Sequence, residues 1–255
     1  MQPLIELLAD ARMQGRVLDT LPAGALPANE AQACDLQHAL LARLGQGVGG
    51  WKVGAKAHDG PIAGAPLPAD AVHHGAAVLP LRDGCVPGGR LLGLELELAF
   101  FFARDMGPGD ESLADAEVLS AIDRMAASIE VVASRFAEGV VPPPLLAHAD
   151  LMFHGALVVA EPVAFDRGRS LTDPVLSLSL DGRPLPGLPG HNPAGNPLRL
   201  LPWLVRHVAR RGLRLPAGTV VTTGSYVGLV PVPAQGALVL GDIAGLPAVR
   251  LTLQG

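Results

Sequence analysis

Gly93-Leu94-Glu95-Leu96-Glu97-Leu98-Ala99-Phe100 is the stretch on which the fold turns. Leucine and glutamate alternate with a period of two. That is a strand pattern, with Glu95 and Glu97 on one face and the leucines on the other. A solvated acidic face would account for the alternation alone. The stretch continues into Phe101-Phe102, however, so burial on both faces is expected. Two buried carboxylates side by side repel, and each raises the other's pKa unless a cation neutralises them. A hard divalent metal with oxygen ligands is the economical solution.

Downstream, Glu130 sits in Ala126-Ala127-Ser128-Ile129-Glu130-Val131-Val132, very apolar surroundings for a carboxylate. The spacing of Val118, Ile122, Met125 and Ile129 predicts a helix over Ser112–Ala127, running directly into a β-branched strand from Ile129. Glu130 falls at that junction. Pairing with Arg124 or Arg135 would satisfy it. Beside Glu95 and Glu97 it would instead be the third carboxylate of one octahedral site, leaving three positions for water and substrate.

Upstream, Lys52 lies in Gly50-Trp51-Lys52-Val53-Gly54. The chain has 19 basic residues, and only Lys52 and Lys56 are lysines. Lys56 reads as solvated loop. Lys52 is either a surface lysine beside a turn or a buried ammonium that needs a carboxylate or an anionic ligand. Thr222-Thr223-Gly224-Ser225-Tyr226 ends a strand with hydroxyls and an open glycine backbone, fit either for an ordinary turn or for holding a carboxylate. His73 and His74, adjacent on a strand, face opposite ways. His148 and His154 read as surface or satisfied core residues, or as the lining of a pocket.

Composition sets the frame. A 255-residue chain with 49% hydrophobic residues is long enough for a sizeable core and too apolar for disorder. A net charge of −5 without a basic stripe argues against nucleic acid. No apolar run reaches the ~18 residues of a membrane span. Glu6 and Asp10 make Met1–Ala11 unlike a secretory leader. Cys34 and Cys85 form no motif, so a reducing cytoplasm is the expected location. Helices are expected over Pro3–Arg16, from an Asn29 cap through Leu44, and over Pro197–Arg211, with loops at Pro22–Pro27 and Ala57–Pro68. Strands are expected at Trp51–Val53, Ala76–Leu81, Leu92–Phe102, Leu157–Val163, Leu176–Leu180, Val220–Thr223, Ala237–Leu240 and Ala248–Leu253. Strands dominate and long parallel βαβ units are missing. The fold class is therefore α+β, a mixed β-barrel or roll over residues 50–255 behind an N-terminal helical cap at 1–49. The 31 glycines and 24 prolines punctuate it.

In order and spacing, these pieces resemble the fumarylacetoacetate hydrolase superfamily, most closely its 2-keto-4-pentenoate hydratase / 4-oxalocrotonate decarboxylase branch. The resemblance is carried by Ala33-Cys34-Asp35-Leu36-Gln37, Gly50-Trp51-Lys52-Val53-Gly54, Glu95-Leu96-Glu97-Leu98-Ala99-Phe100 and Ile129-Glu130-Val131-Val132-Ala133-Ser134-Arg135. It continues through His148-Ala149-Asp150, Gly195-Asn196-Pro197-Leu198 with Trp203-Leu204, and Val220-Val221-Thr222-Thr223-Gly224-Ser225. It implies a Mg²⁺ or Mn²⁺ site at Glu95, Glu97 and Glu130, catalytic roles for Lys52 and Asp150, and substrate contacts from Ser225, Thr223 and Gln37. It further implies chelation of a small 2-keto or 2-hydroxydienoate acid, stabilisation of its enolate, and then addition of water. Decarboxylation or C–C hydrolysis of an acylpyruvate would use the same electron sink. The implied assembly is a homo-oligomer, alone or with a related pathway enzyme; a non-catalytic partner subunit of such an enzyme is the alternative role. Three departures from the family pattern stand out: Ala133 replaces an Asp, Leu151 an Asn, and the loop Pro61–Leu67 is shortened, with only Asp59 nearby to serve as its acid.

Overall fold

In the computed structural model, which describes residues 2–22, 24 and 26–255, the acidic alternation lies inside one 14-residue strand, Gly89–Phe102. In chain order the elements are α1 (Gln2–Gln14), α2 (Glu30–Arg43), β1 (Val48–Ala55), β2 (Ile62–Pro68), β3 (Val72–His74), β4 (Ala77–Pro80), β5 (Cys85–Val86) and β6 (Gly89–Phe102). Then come α3 (Asp115–Ser120), β7 (Ile122–Ser134), α4 (Pro144–Ala149), β8 (His154–Val159), β9 (Val163–Ala164), β10 (Leu176–Leu180) and β11 (Arg183–Pro184). α5 (Leu200–Arg210), β12 (Val220–Ser225), β13 (Gly236–Ile243) and β14 (Val249–Gln254) complete the chain. Asn29 caps α2 as expected, its side chain accepting from the Gln32 N–H at 3.0 Å. Met1, and Ala23 and Ala25 of the Pro22–Pro27 loop, lie outside the described residues.

The strands form two mixed sheets. One runs β2-β1-β12-β6-β7-β8-β3, with β5 and β9 paired to β6 and β7; the other runs β11-β10-β13-β14-β4. The core lies between them: Leu94, Leu96, Leu98 and Phe100 from the larger sheet meet Leu178, Val239, Leu251 and Leu253 from the smaller. The sheets approach so closely at Gly241 that a Cβ there would lie 2.6 Å from Leu96 Cδ1 and 2.9 Å from Val249 Cγ1, so a larger residue would displace core side chains. Each large side chain sealed here contributes about 1.5–3 kcal/mol. Across the larger sheet, on the face that carries Glu95 and Glu97, α1, α2 and α4 build a second apolar cluster from Leu4, Leu8, Leu36, Leu40 and Leu146.

Three expectations are corrected. The helix over Ser112–Ala127 shrinks to α3, and Ile122–Ser134 is a strand paired with β6 along its length. Residues Met125–Ser134 are all buried. A strand buried on both faces shows no alternation, and its apolar run mimics helical spacing. Second, the expected loop Ala57–Pro68 contains β2, antiparallel to β1. Its prolines are tolerated because β2 is the sheet's edge. Third, the Leu157–Val163 segment starts earlier and divides, with β8 beginning at His154 and β9 following separately. Among the described residues no helix is long and apolar enough to cross a membrane.

Candidate metal centre

The β6/β7 register brings the carboxylates together. Glu95 and Glu130 are direct cross-strand partners, and Glu97 faces Ser128. Opposed residues of an antiparallel pair share a face, so Glu130 sits mid-strand on the acidic face rather than at a helix junction. One carboxylate oxygen from each of Glu95, Glu97 and Glu130 lies within 4.8 Å of the others.

Each glutamate is held differently. Glu97 is buried; its Oε2 accepts from the Thr222 hydroxyl and, at 2.8 Å, from the Gly224 N–H. That amide is presented by an irregularity in β12. Thr222 pairs with Ala99 and Ser225 with Glu97, so three steps of β12 span two of β6. Gly224 takes up the extra residue at φ +89°, a conformation that suits glycine. Glu130 is sealed from solvent; its Oε1 accepts from Lys52 Nζ at 2.5 Å and from His154 Nδ1 at 3.0 Å. Glu130 Oε2 is buried without a partner.

Lys52, from β1, reaches this face across β12 and also donates to the Met152 carbonyl at 3.2 Å. Burial disfavours its ammonium, but Glu130, Glu95 and Glu97 outweigh burial and hold the pKa above the ordinary lysine value. Burial likewise opposes ionisation of Glu130, yet Lys52 and His154 keep that carboxyl below the usual range. Glu95 and Glu97 behave in the opposite sense. Burial, followed by repulsion from Glu130, pushes Glu95 up to about 7 and Glu97 up to about 8. Burial lowers His154 to about 4, so its ring is neutral at pH 7 and donates its one N–H to Glu130.

This donor set fits a hard divalent cation. Three carboxylates converge, one buried oxygen has no partner, and Lys52 offsets one of three negative charges. The two that remain match a dication.

The other expected site residues stand elsewhere. The Thr223 hydroxyl is buried and donates to the Leu98 carbonyl, so Thr222, not Thr223, serves the carboxylates. Half-buried Ser225, in register with Glu97, donates to the Gly228 carbonyl. Gln37 is buried and ties α2 to the carbonyls of His148 and Gly64. Asp150 is sealed and ion-paired to Arg135 at 2.7 Å. Asp59 is fully exposed beside His58, and Lys56 is exposed. Thr222, the Gly224 amide, His154 and the Met152 carbonyl are the contributors that the sequence left unassigned. The hydroxyl-glycine segment had carried a signal for Thr222 and Gly224, and His154 had been left between a surface or core role and the lining of a pocket.

No family model matches the chain. A 2-keto-4-pentenoate hydratase of Burkholderia vietnamiensis is 31% identical over 255 residues, covering 96% of this chain and 94% of the relative. The chain belongs to the 2-keto-4-pentenoate hydratase family. A further member, 2-keto-4-pentenoate hydratase 3 of Pseudomonas putida, is 30% identical over 139 residues, 54% of this chain and 51% of that one. The fold of this hydratase-family chain is shared by a 4-oxalocrotonate decarboxylase from Pseudomonas putida G7 complexed with magnesium and adipate. That match has a TM-score of 0.80 at 21% identity, over 98% of this chain and 96% of the other. A fumarylpyruvate hydrolase from Pseudomonas aeruginosa in complex with Mn²⁺ and pyruvate is more distant, with a TM-score of 0.54 at 16% identity over 80% and 88%. At these identities the likeness to both structures is one of fold.

Proposed function

We propose that this chain is a divalent-metal-dependent lyase that adds water to a 2-hydroxy-2,4-dienoate, the enol of a 2-keto-4-enoate, in the breakdown of aromatic compounds. The observation that carries the reading is the convergence of Glu95, Glu97 and Glu130 with an ammonium on one of them. It agrees with the curated relatives' names.

Glu95, Glu97 and Glu130 would hold Mg²⁺ or Mn²⁺. When bound, the ion supplies Lewis-acid stabilisation of the negative charge on the substrate's 2-oxygen. The chain's own groups do the rest. Lys52 donates two of its three N–H bonds to Glu130 and Met152 and keeps one for the substrate's carboxylate or 2-oxygen. Neutral His154 orients Glu130, while Thr222 and Gly224 orient Glu97; such outer partners fix ligand geometry. Ser225, half-buried beside Glu97, is the hydroxyl best placed for the substrate. Gln37 and Thr223 are supports. The working form in this reading is a cytoplasmic homo-oligomer, which light scattering on the purified protein checks.

Decarboxylation of a 4-oxalocrotonate is the second reading, favoured by one observation. Asp59, the candidate acid of the shortened loop, is exposed beside His58. Hydration needs a proton delivered to the diene, whereas loss of CO₂ needs only the electron sink. Ultraviolet decay of 2-hydroxypenta-2,4-dienoate with and without Mg²⁺ tests the first reading. Decay that requires Mg²⁺ supports it; CO₂ release from 4-oxalocrotonate without diene decay selects the second.

A further inference from the structure

Asp150 does not reach the carboxylates, yet it begins the segment that ends on His154. Between them Leu151, Met152 and Phe153 have φ of +56°, +53° and +61°, three consecutive left-handed residues, none of them glycine. Among the described residues, the other non-glycine ones in this region, Asp83 and Asp181, are single turn residues, each followed by a glycine. Each left-handed non-glycine residue disfavours its conformation by roughly tenfold, so the turn needs outside restraint. Two buried arginines provide it. Arg135 donates to the Asp150 carboxylate at 2.7 Å and Arg12 lies 3.5 Å from its other oxygen. Arg12 and Arg135 also donate to the Asp150 carbonyl, at 3.3 and 3.4 Å, and both donate at 3.0 Å to the His154 carbonyl. The guanidiniums thus grip both ends of the turn. Inside it, the Met152 carbonyl accepts from Lys52, and at its end the His154 ring donates to Glu130.

We propose that Arg12, Arg135 and Asp150 are positioning residues: they hold the left-handed turn Leu151–Phe153, which sets the Met152 carbonyl and His154 ring that orient Lys52 and Glu130. The turn is a strained element kept in place for the site it serves. This rests on the metal-dependent reading above, but its test has an arm independent of that reading. Arg12→Leu is the informative variant, because Arg135 and Asp150 remain a matched pair and the fold keeps a neutralised core. Phe153→Gly is its partner: glycine adopts the left-handed region without penalty, and Phe153 belongs to none of the apolar clusters.

Amide hydrogen exchange over residues 150–154 is measured in chelator-treated protein, together with Mg²⁺ affinity and steady-state kinetics on 2-hydroxypenta-2,4-dienoate. Arg12→Leu is expected to speed exchange in the turn about tenfold and to lower kcat by roughly 10–100-fold, with a smaller change in KM. Adding Phe153→Gly is expected to recover at least part of both losses. Unchanged exchange at 150–154 in Arg12→Leu overturns the proposal, as does a loss that glycine fails to recover. Should wild-type protein leave the dienoate untouched, the functional reading falls, while exchange and Mg²⁺ affinity still decide on the turn.

Discussion

Replacing Glu97 by glutamine is expected to stabilise the metal-free protein while abolishing its response to metal. Glu97 is buried, and in the absence of an ion its carboxyl is displaced from the usual 4.5 to about 8, by burial first and then by Glu130 and Glu95. A carboxyl whose pKa is raised in the folded state contributes stability below its unfolded pKa. It loses that contribution as pH rises through the folded value. At about 1.4 kcal/mol per pH unit above 4.5, the metal-free fold at pH 7.5 carries a cost of about 4 kcal/mol at this position, and at pH 5 less than about 1 kcal/mol. Glutamine keeps an oxygen for Thr222 and Gly224 and needs no ionisation. Urea unfolding in chelator should therefore show Glu97→Gln more stable than wild type by about 2–4 kcal/mol at pH 7.5, with most of the gain gone at pH 5. Adding Mg²⁺ should raise the wild-type Tm and leave the variant unmoved. A variant equally or less stable in chelator at pH 7.5, or a gain independent of pH, would refute the argument that the carboxylates are held together against their mutual repulsion.

Other outcomes follow from the same contacts. Lys52→Met removes the partner of a sealed carboxylate and should cost about 3–5 kcal/mol in metal-free protein; urea melts measure it, and combination with Glu130→Gln should recover much of the loss. Thr222→Val should weaken Mg²⁺ binding by roughly 10-fold, read by calorimetry. Thr223→Val, which loses only a bond to the Leu98 carbonyl, should leave Mg²⁺ affinity intact and lower stability by about 1 kcal/mol. Because Glu95 and Glu97 sit near 7 and 8 without an ion, Mg²⁺ affinity should rise from pH 6 to 8 with release of protons. Calorimetry in buffers of different ionisation enthalpy detects that release.

What could be read from sequence was whatever the side-chain period expresses locally. The Leu-Glu alternation of β6 gave the strand, its acidic face and the pair Glu95–Glu97. The apolar neighbours of Lys52 left a surface lysine and a buried ammonium both open, and Lys52 lies against Glu130. Where burial erases the period, the sequence was silent or misleading. β7 is apolar on both faces, so its spacing imitated a helix. β2 was hidden by its prolines, because an edge strand tolerates what a central one does not. The Met152 carbonyl, and the choice of a site role for His154 over a core one, were beyond reach for another reason: a left-handed turn of Leu, Met and Phe has no residue signature. Asp150, to which the resemblance gives a catalytic role, lies buried against Arg12 and Arg135, a setting that no local pattern in the sequence expresses.

Register ties the fold to the site. Glu130 faces Glu95 only in the observed pairing of β7 with β6. A slip of one residue would turn every β7 side chain to the opposite face. Glu130 would then enter the core among Leu94, Leu96 and Leu98, while Ile129 and Val131, sealed in that core, would turn toward the carboxylates. The slipped pairing is therefore opposed twice, by the unpaired buried charge and by the lost apolar burial. The observed register is opposed once, by the repulsion of three carboxylates, of which Lys52 already offsets one. The hydrophobic pattern of β7, the part hardest to read as a strand, is thus what brings the third carboxylate to the site.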